Sequence, residues 1–246
     1  MEKIIAIIPA RYNSTRFPGK ILANIAGKPM IQHVYERARQ IGNLADVIVA
    51  TDNDDVLKLI QSIGGQAILT DQKHPSGTDR IAEAARLLKL PDSTIVVNIQ
   101  GDQPLVPEGP VNAIIELLCN DPECHMSTAA CPMDSSDIEN PNRVKVVLDV
   151  HSRALYFSRS PIPYDRDNKS PYTGCLRHLG LYAYRHDFLQ TFVELPRGRL
   201  ESLEKLEQLR ALEYGYKIGV ALVREAPIDV DTEEDLIAAK KILADK

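Results

Sequence analysis

Ile4-Ile5-Ala6-Ile7-Ile8-Pro9-Ala10-Arg11-Tyr12-Asn13-Ser14-Thr15-Arg16-Phe17-Pro18-Gly19-Lys20 is an apolar, largely β-branched run that passes directly into a basic loop. Positions 4–8 show no polar alternation, which is the pattern of a strand covered on both faces. Further along, strand-like segments at 47–50, 67–69 and 94–99 alternate with helix-period segments at 30–41, 56–63, 81–88 and 111–118. This alternation predicts an α/β fold around a mostly parallel sheet, with ligands held beyond the carboxyl ends of the strands.

After a strand at 126–131 the rhythm changes. Segments 143–148 and 154–158, joined by a turn at 149–152, read as a hairpin, so the sheet becomes mixed. Pro161, Pro163 and Pro171 mark 160–174 as a surface loop or a subunit-contacting arm. Strands are expected at 176–184 and 218–223, and Leu200, Leu203, Leu206, Leu209 and Leu212 predict one amphipathic helix over 200–214. Thr232 and Asp235 approximate a capping box that opens a last helix. No internal repeat or linker divides the chain, so a single domain over 1–246 with an inserted lobe is expected.

The chain has 246 residues, 44% of them hydrophobic and 26% charged, within the normal range of a globular protein. Its net charge of −5 is the wrong sign for a protein that grips nucleic acid. The opening residues lack the basic segment of a signal peptide, and no apolar run approaches the ~20 residues that span a bilayer, so a cytoplasmic protein without membrane insertion is expected. Cys119, Cys124, Cys131 and Cys175 have no metal-motif spacing and read as buried, reduced thiols.

Between Lys3 and Tyr35 stand five Lys or Arg and no Asp or Glu, where the frequency of 34 acidic residues in the chain would place about five. A solvated loop would explain this at an arbitrary place. At the end of a first parallel strand, however, guanidinium forks, a lysine and the Ser14 and Thr15 hydroxyls suit phosphate oxygens. No G-x-x-x-x-G-K-[ST] or G-x-G-x-x-G occurs, which argues against P-loop ATPases and NAD oxidoreductases. Asp102, after Gly101 at the end of the 94–99 strand, and Asp231, in the Asp229-Val230-Asp231 stretch, are carboxylates fitted to a hard cation that bridges phosphates.

The opening stretch with Gly27-Lys28-Pro29-Met30-Ile31 resembles the 3-deoxy-manno-octulosonate (Kdo) cytidylyltransferases, the CMP-Kdo synthetases. The similarity continues through Ala50-Thr51-Asp52, Ser76-Gly77-Thr78-Asp79-Arg80, Asn98-Ile99-Gln100-Gly101-Asp102, Val144-Lys145-Val146-Val147, Tyr156-Phe157-Ser158-Arg159, Arg177-His178-Leu179-Gly180, Leu206-Glu207-Gln208-Leu209-Arg210 and Val230-Asp231-Thr232. The resemblance implies a Rossmann-like nucleotide-diphospho-sugar transferase fold, a dimerisation and sugar-binding lobe at about 135–215, and a homodimer. It implies CTP and Kdo, or 8-amino-Kdo, as substrates, with Mg²⁺. On this basis Arg11, Lys20, Asp102 and Asp231 are the catalytic candidates, with Asp102 and Asp231 holding the metal. Ala10, Arg11, Ser14, Arg16, Lys20, Ser76, Gly77 and Thr78 would bind the nucleotide, and Gln100, Arg159, His178, Tyr182, Glu207 and Gln208 the sugar.

His178 and Tyr182 also fit a core pair on one strand face, and Glu201, Glu204 and Glu207 a salt-bridged helix face. Gln103 stands where the family pattern has Glu, and Glu233 where it has Pro. Arg197-Gly198-Arg199-Leu200-Glu201 resembles the subgroup that uses the 8-amino sugar. CMP-sialic acid synthetase shares the opening motif, and a nucleotide-binding protein without catalysis is the alternative from another class.

Overall fold

In the computed structural model, which describes residues 2–12, 19–167, 174–230 and 232–244, the chain divides into two units, one running to Glu108 and resuming at Pro227, the other Gly109–Ala226. The first unit contains β1 (Ile4–Ala10), the short hairpin β2 (Asn24–Ile25) and β3 (Lys28–Pro29), α1 (Met30–Ala38), β4 (Asp46–Thr51), α2 (Asp54–Ser62), β5 (Gln66–Leu69), α3 (Gly77–Leu87) and β6 (Ile95–Asn98). The helix Glu233–Ala244 completes it. β1 pairs in parallel with β4 on one side and β6 on the other, and β5 extends the sheet beyond β4. The chain therefore leaves β1 in one direction and returns to its opposite side, which creates a switch point where the loops after β1 and β6 diverge.

Local chemistry agrees with this topology. Ile5, Ile7 and Ile8 of β1 are fully buried, and each such side chain contributes about 1.5–3 kcal/mol. Asn53 Oδ1 accepts from the N–H groups of Asp55 and Val56 and starts α2. Thr232 and Asp235 form the expected reciprocal cap, Thr232 N to Asp235 Oδ2 at 2.9 Å and Asp235 N to Thr232 Oγ1 at 3.2 Å.

The second unit holds α4 (Glu108–Asn120), β7 (Met126–Pro132), β8 (Lys145–Leu148), β9 (Ala154–Ser158), β10 (Leu176–Arg185), α5 (His186–Glu194), α6 (Arg199–Glu204), α7 (Leu209–Glu213) and β11 (Ile218–Leu222). β7 runs antiparallel to β10 and parallel to β11, so the strands are mixed as expected. The β8–β9 hairpin forms, its turn closed by Asp149 Oδ1, which accepts from the N–H groups of His151 and Arg153.

Two expectations need correction, and one helix has no counterpart among them. The single helix over 200–214 is two short helices, broken at Lys205, whose φ is 54°. A leucine at every third residue drifts off a 3.6-residue face. Leu203 is accordingly 68% exposed while Leu209 is fully buried. The carbonyl of Glu204 is also taken by Arg159 Nε at 2.7 Å. That helix is α5, although Phe188, Leu189 and Phe192 form a buried stripe at helical spacing. Second, Cys119 is exposed; Cys124, Cys131 and Cys175 are buried, and all four are free. Burial, with the Asp121 carboxylate beside it, pushes the Cys124 thiol up to about 12.

Candidate active site

The loops that diverge at the switch point of the first unit carry Arg11, Lys20 and Asp102, three of the residues singled out for phosphate and metal. Gly19, at φ +72°, donates its N–H to Tyr12 O at 3.1 Å, so the two ends of the basic loop meet. The next residue, Lys20, is buried and sends Nζ to Asp102 Oδ2 at 2.7 Å and to Val230 O at 3.0 Å. Val230 N in turn donates to Asp102 O at 2.9 Å, which ties the segment before Thr232 to the loop after β6. Gly101 is required here, because a Cβ at that position would lie 2.8 Å from Pro9 O.

Gln103 occupies the position where a carboxylate was the family expectation. Its Nε2 donates to Asp229 Oδ1 at 2.7 Å, and its Oε1 is buried without a partner among the described residues. A carboxylate at 103 would face that of Asp229 directly, so the amide has a physical reason to be there.

Ala10 ends β1, and its carbonyl accepts the Thr51 hydroxyl at 2.7 Å. The start of α3 lies beside this strand end, with the Cβ position of Gly77 3.4 Å from Pro9 Cγ. The Ser76 hydroxyl is engaged on its own helix, accepting from Asp79 N at 3.2 Å and donating to Asp79 Oδ2 at 2.6 Å. Thr78 is buried in the first turn of α3, and Arg11 is exposed. Ser14, Arg16 and Asp231 lie outside the described residues.

An anchor that sequence reasoning missed holds the start of the basic loop. Tyr12 N donates to Asp52 Oδ1 at 3.0 Å, and Asp52 Oδ2 pairs with Arg80 at 2.7 Å. Arg80 is itself buried and donates to Thr70 Oγ1 at 2.6 Å. Both residues stood within motifs already quoted, but a long-range pair between a strand end and a helix leaves no periodic signal.

Gln100, half-buried, follows β6 in the first unit. The other sugar candidates belong to the second unit. His178 and Tyr182 share one face of β10, their ring centroids 5.4 Å apart. Phe157 meets His178 edge-on at 5.0 Å. Burial pushes the His178 imidazole down to about 3 and holds the Tyr182 phenol well above its ordinary range, with Tyr184 and Glu207 adding to the latter. Arg159 is embedded in backbone: Nε donates to Glu204 O and Nη1 to Pro141 O at 2.8 Å. Fully buried Lys145 gives Nζ to the carbonyls of Arg159 at 2.6 Å, Arg143 at 2.8 Å and Asn140 at 3.1 Å, which fixes the backbone that carries Arg159.

The three glutamates do not form a solvated helix face. Glu201 and Arg210 make a buried bidentate pair at 2.8 and 2.7 Å, with Arg210 Cζ also 4.9 Å from the Phe192 ring centroid. Glu204 Oε1 accepts from Ser158 Oγ at 2.7 Å, and Glu207 Oε1 lies 3.7 Å from Arg210 Nη2. Next to it, Gln208 is buried with no partner for Nε2 among the described residues. A buried amide hydrogen without a protein acceptor is uncommon, which sets Gln208 apart from its paired neighbours.

Among the described residues, no three His, Cys, Asp or Glu side chains converge to hold a metal ion. Asp102 and its neighbours nevertheless offer only oxygen donors. Asp102 Oδ2 and Val230 O already cradle one cation, the Lys20 ammonium. This is a donor set that fits a hard divalent ion and not a soft one.

Comparison with known proteins narrows the chemistry. The cytidylyltransferase family matches residues 5–218. The 3-deoxy-manno-octulosonate cytidylyltransferase of Syntrophobacter fumaroxidans is 57% identical, over 98% of this chain and 97% of its own. The 8-amino-3,8-dideoxy-manno-octulosonate cytidylyltransferase of Shewanella pealeana is 51% identical over 95% of both. A solved CMP:2-keto-3-deoxy-manno-octonic acid synthetase in complex with CTP superposes with a TM-score of 0.92, at 42% identity and 99% coverage of each chain. With the α/β fold, the basic loop and the Lys20–Asp102 pair on the same chain, this protein belongs to the 3-deoxy-manno-octulosonate cytidylyltransferase family.

Proposed function

We propose that the protein transfers the cytidylyl group of CTP to the anomeric hydroxyl of an eight-carbon 3-deoxy-octulosonate, giving the CMP-sugar and pyrophosphate for lipopolysaccharide assembly in the cytoplasm. The observation that carries this reading is the meeting of Lys20 and Asp102 at the switch point of a parallel sheet, 2.7 Å apart. The anomeric oxygen forms a bond to the α-phosphorus as the bond to the pyrophosphate oxygen breaks, so negative charge grows on the leaving group. Arg11 and Lys20, assisted by Ser14 and Arg16, hold the triphosphate and meet that charge. Ala10 and residues Ser76, Gly77 and Thr78 read the cytosine. Arg159, His178, Tyr182, Glu207, Gln208 and Gln100 hold the sugar, with the unpaired Gln208 amide supporting that assignment.

Asp102 and Asp231 would hold a Mg²⁺ ion, which supplies positive charge at the reacting oxygens and makes the attacking hydroxyl more acidic. Lys20 then exchanges its carboxylate partner for phosphate oxygens. The sugar is Kdo or its 8-amino analogue; at the Arg197-Gly198-Arg199 departure Glu213 Oε1 accepts from Leu200 N at 2.9 Å, and a Cβ on Gly198 would strike that carboxylate. The chain works as a homodimer through the lobe at about 135–215, where Leu155, Tyr164 and Leu203 are exposed. No helix among the described residues is long and apolar enough to cross a membrane.

Pyrophosphate release with CTP and Mg²⁺, offering Kdo, its 8-amino analogue and N-acetylneuraminate separately and UTP as the nucleotide control, tests the reading. Release with CTP and an octulosonate is expected, and the preferred one of the two fixes the C8 substituent. Release with N-acetylneuraminate alone overturns the sugar, and silence with all three leaves a binding protein without catalysis.

A further inference from the structure

His178 does not stand alone on β10. Two extra residues interrupt the pairing of β10 with β7: His178 pairs with Ala130, but Tyr182 pairs with Thr128. Gly180, at φ +65°, lies inside this bulge, in a conformation that glycine adopts at little cost. The extra residues bring the Thr128 hydroxyl between two groups of β10. It lies 2.6 Å from Leu181 O and 2.9 Å from His178 Nε2.

The protons at this junction can be assigned by elimination. A hydroxyl has one hydrogen, and a carbonyl oxygen can only accept. The Thr128 proton therefore goes to Leu181 O, and toward the imidazole the Thr128 oxygen can only accept. His178 Nε2 must then carry the hydrogen. A doubly protonated ring is opposed by burial, here beside the Phe157 and Tyr182 rings, and by the neighbouring Arg177 charge. The ring is neutral, with Nε2 engaged by Thr128, so Nδ1 is left with a lone pair that can only accept.

We propose that Thr128 is a positioning residue that locks His178 in the Nε2–H tautomer, so that His178 Nδ1 accepts a hydrogen bond from a sugar hydroxyl and rejects an anionic oxygen at that position. The proposal rests on the reading of His178 as a sugar contact. It assigns to the pair a chemical preference: His178 recognises a donor on the polyhydroxy part of the acid and does not serve as a counter-charge to the carboxylate. Arg159 is the cation among the second-unit candidates.

The experiment has two arms, so that the lock and the sugar contact fail separately. In ¹⁵N-labelled protein without substrate, two-bond ¹H–¹⁵N spectra at pH 7 read the tautomer of His178 directly, assigned with His178→Asn. Steady-state kinetics with CTP and Kdo are then compared for wild type, Thr128→Val and Thr128→Ser. The expected result is an Nε2–H tautomer in wild type and in Thr128→Ser, with loss of that single tautomer in Thr128→Val. The KM for the sugar should rise about tenfold in Thr128→Val with the KM for CTP unchanged, and Thr128→Ser should restore it. An Nδ1–H tautomer or an imidazolium in the wild type overturns the lock. A tautomer lost in Thr128→Val with an unchanged sugar KM overturns the proposed hydroxyl contact, and with it the placement of His178 at the sugar.

Discussion

Lys20 and His178 are both buried side chains, yet their partners Asp102 and Thr128 solve burial in opposite ways. At Lys20 a full positive charge is kept, and the cost of burying it is offset by a carboxylate at 2.7 Å and a backbone carbonyl at 3.0 Å. At His178 the charge is given up: the ring is neutral, and a hydroxyl and a carbonyl set its single proton. Under the proposed function, the first arrangement would exchange partners when a polyanion and a cation arrive. The second has its hydrogen-bond direction fixed and needs no proton to move. One pair thus keeps a charge that can change partners, and the other fixes a hydrogen-bond direction.

The largest effect should come from the charged pair. Asp102→Asn is expected to lower kcat by on the order of 10³-fold or more while Tm stays within a few degrees of wild type. Initial rates of pyrophosphate release and a thermal melt check both halves, and a large fall in Tm would make Asp102 a structural anchor. Glu201→Gln tests the opposite kind of ion pair, one with no exchange to perform. It leaves Arg210 buried beside a neutral amide and should cost about 3–5 kcal/mol in urea unfolding.

His178 supplies a pH signature. In the unfolded chain histidine titrates near 6.5, but in the folded chain burial holds it at about 3. Between these values the unfolded state binds a proton that the folded state refuses. The His178 contribution to stability is therefore intact above pH 6.5 and declines as the pH falls from 6.5 toward 3. His178→Asn should show a shallower loss of Tm between pH 7 and 5 than wild type, and equal slopes would contradict the neutral buried ring. The smallest stability change is expected from Gln208→Leu. Removing an amide whose Nε2 has no partner should leave Tm unchanged or slightly raised, while the KM for Kdo rises about tenfold. A lower Tm with an unchanged KM would make Gln208 a core residue.

Most of the first unit was legible in the sequence because its signals are local. Unbroken apolar runs mark β1, β4 and β6, and a loop cleared of acidic residues marks the phosphate side. Lys20 and Asp102 could be named separately, but their direct pairing could not, since it depends on the strand order that creates the switch point. The second unit was less legible. The leucines at every third residue suggested one helix where Lys205 divides two, because a left-handed residue leaves no composition signal. The bulge at Gly180 was equally hidden: only the paired strand reveals that two residues are extra, and Thr128 acquires its part only through that offset.

Asp102 is either a cation ligand that Lys20 borrows or the anchor that Lys20 needs. Calorimetric titration of CTP into wild type, Asp102→Asn and Lys20→Ala, all in the presence of a chelator, separates these directly. Asp102→Asn is expected to bind CTP at least as tightly as wild type, because Lys20 no longer has a carboxylate competing with phosphate, while Lys20→Ala binds more weakly. Weakened binding in Asp102→Asn, to the level of Lys20→Ala, would contradict the exchange and leave the pair a structural clasp.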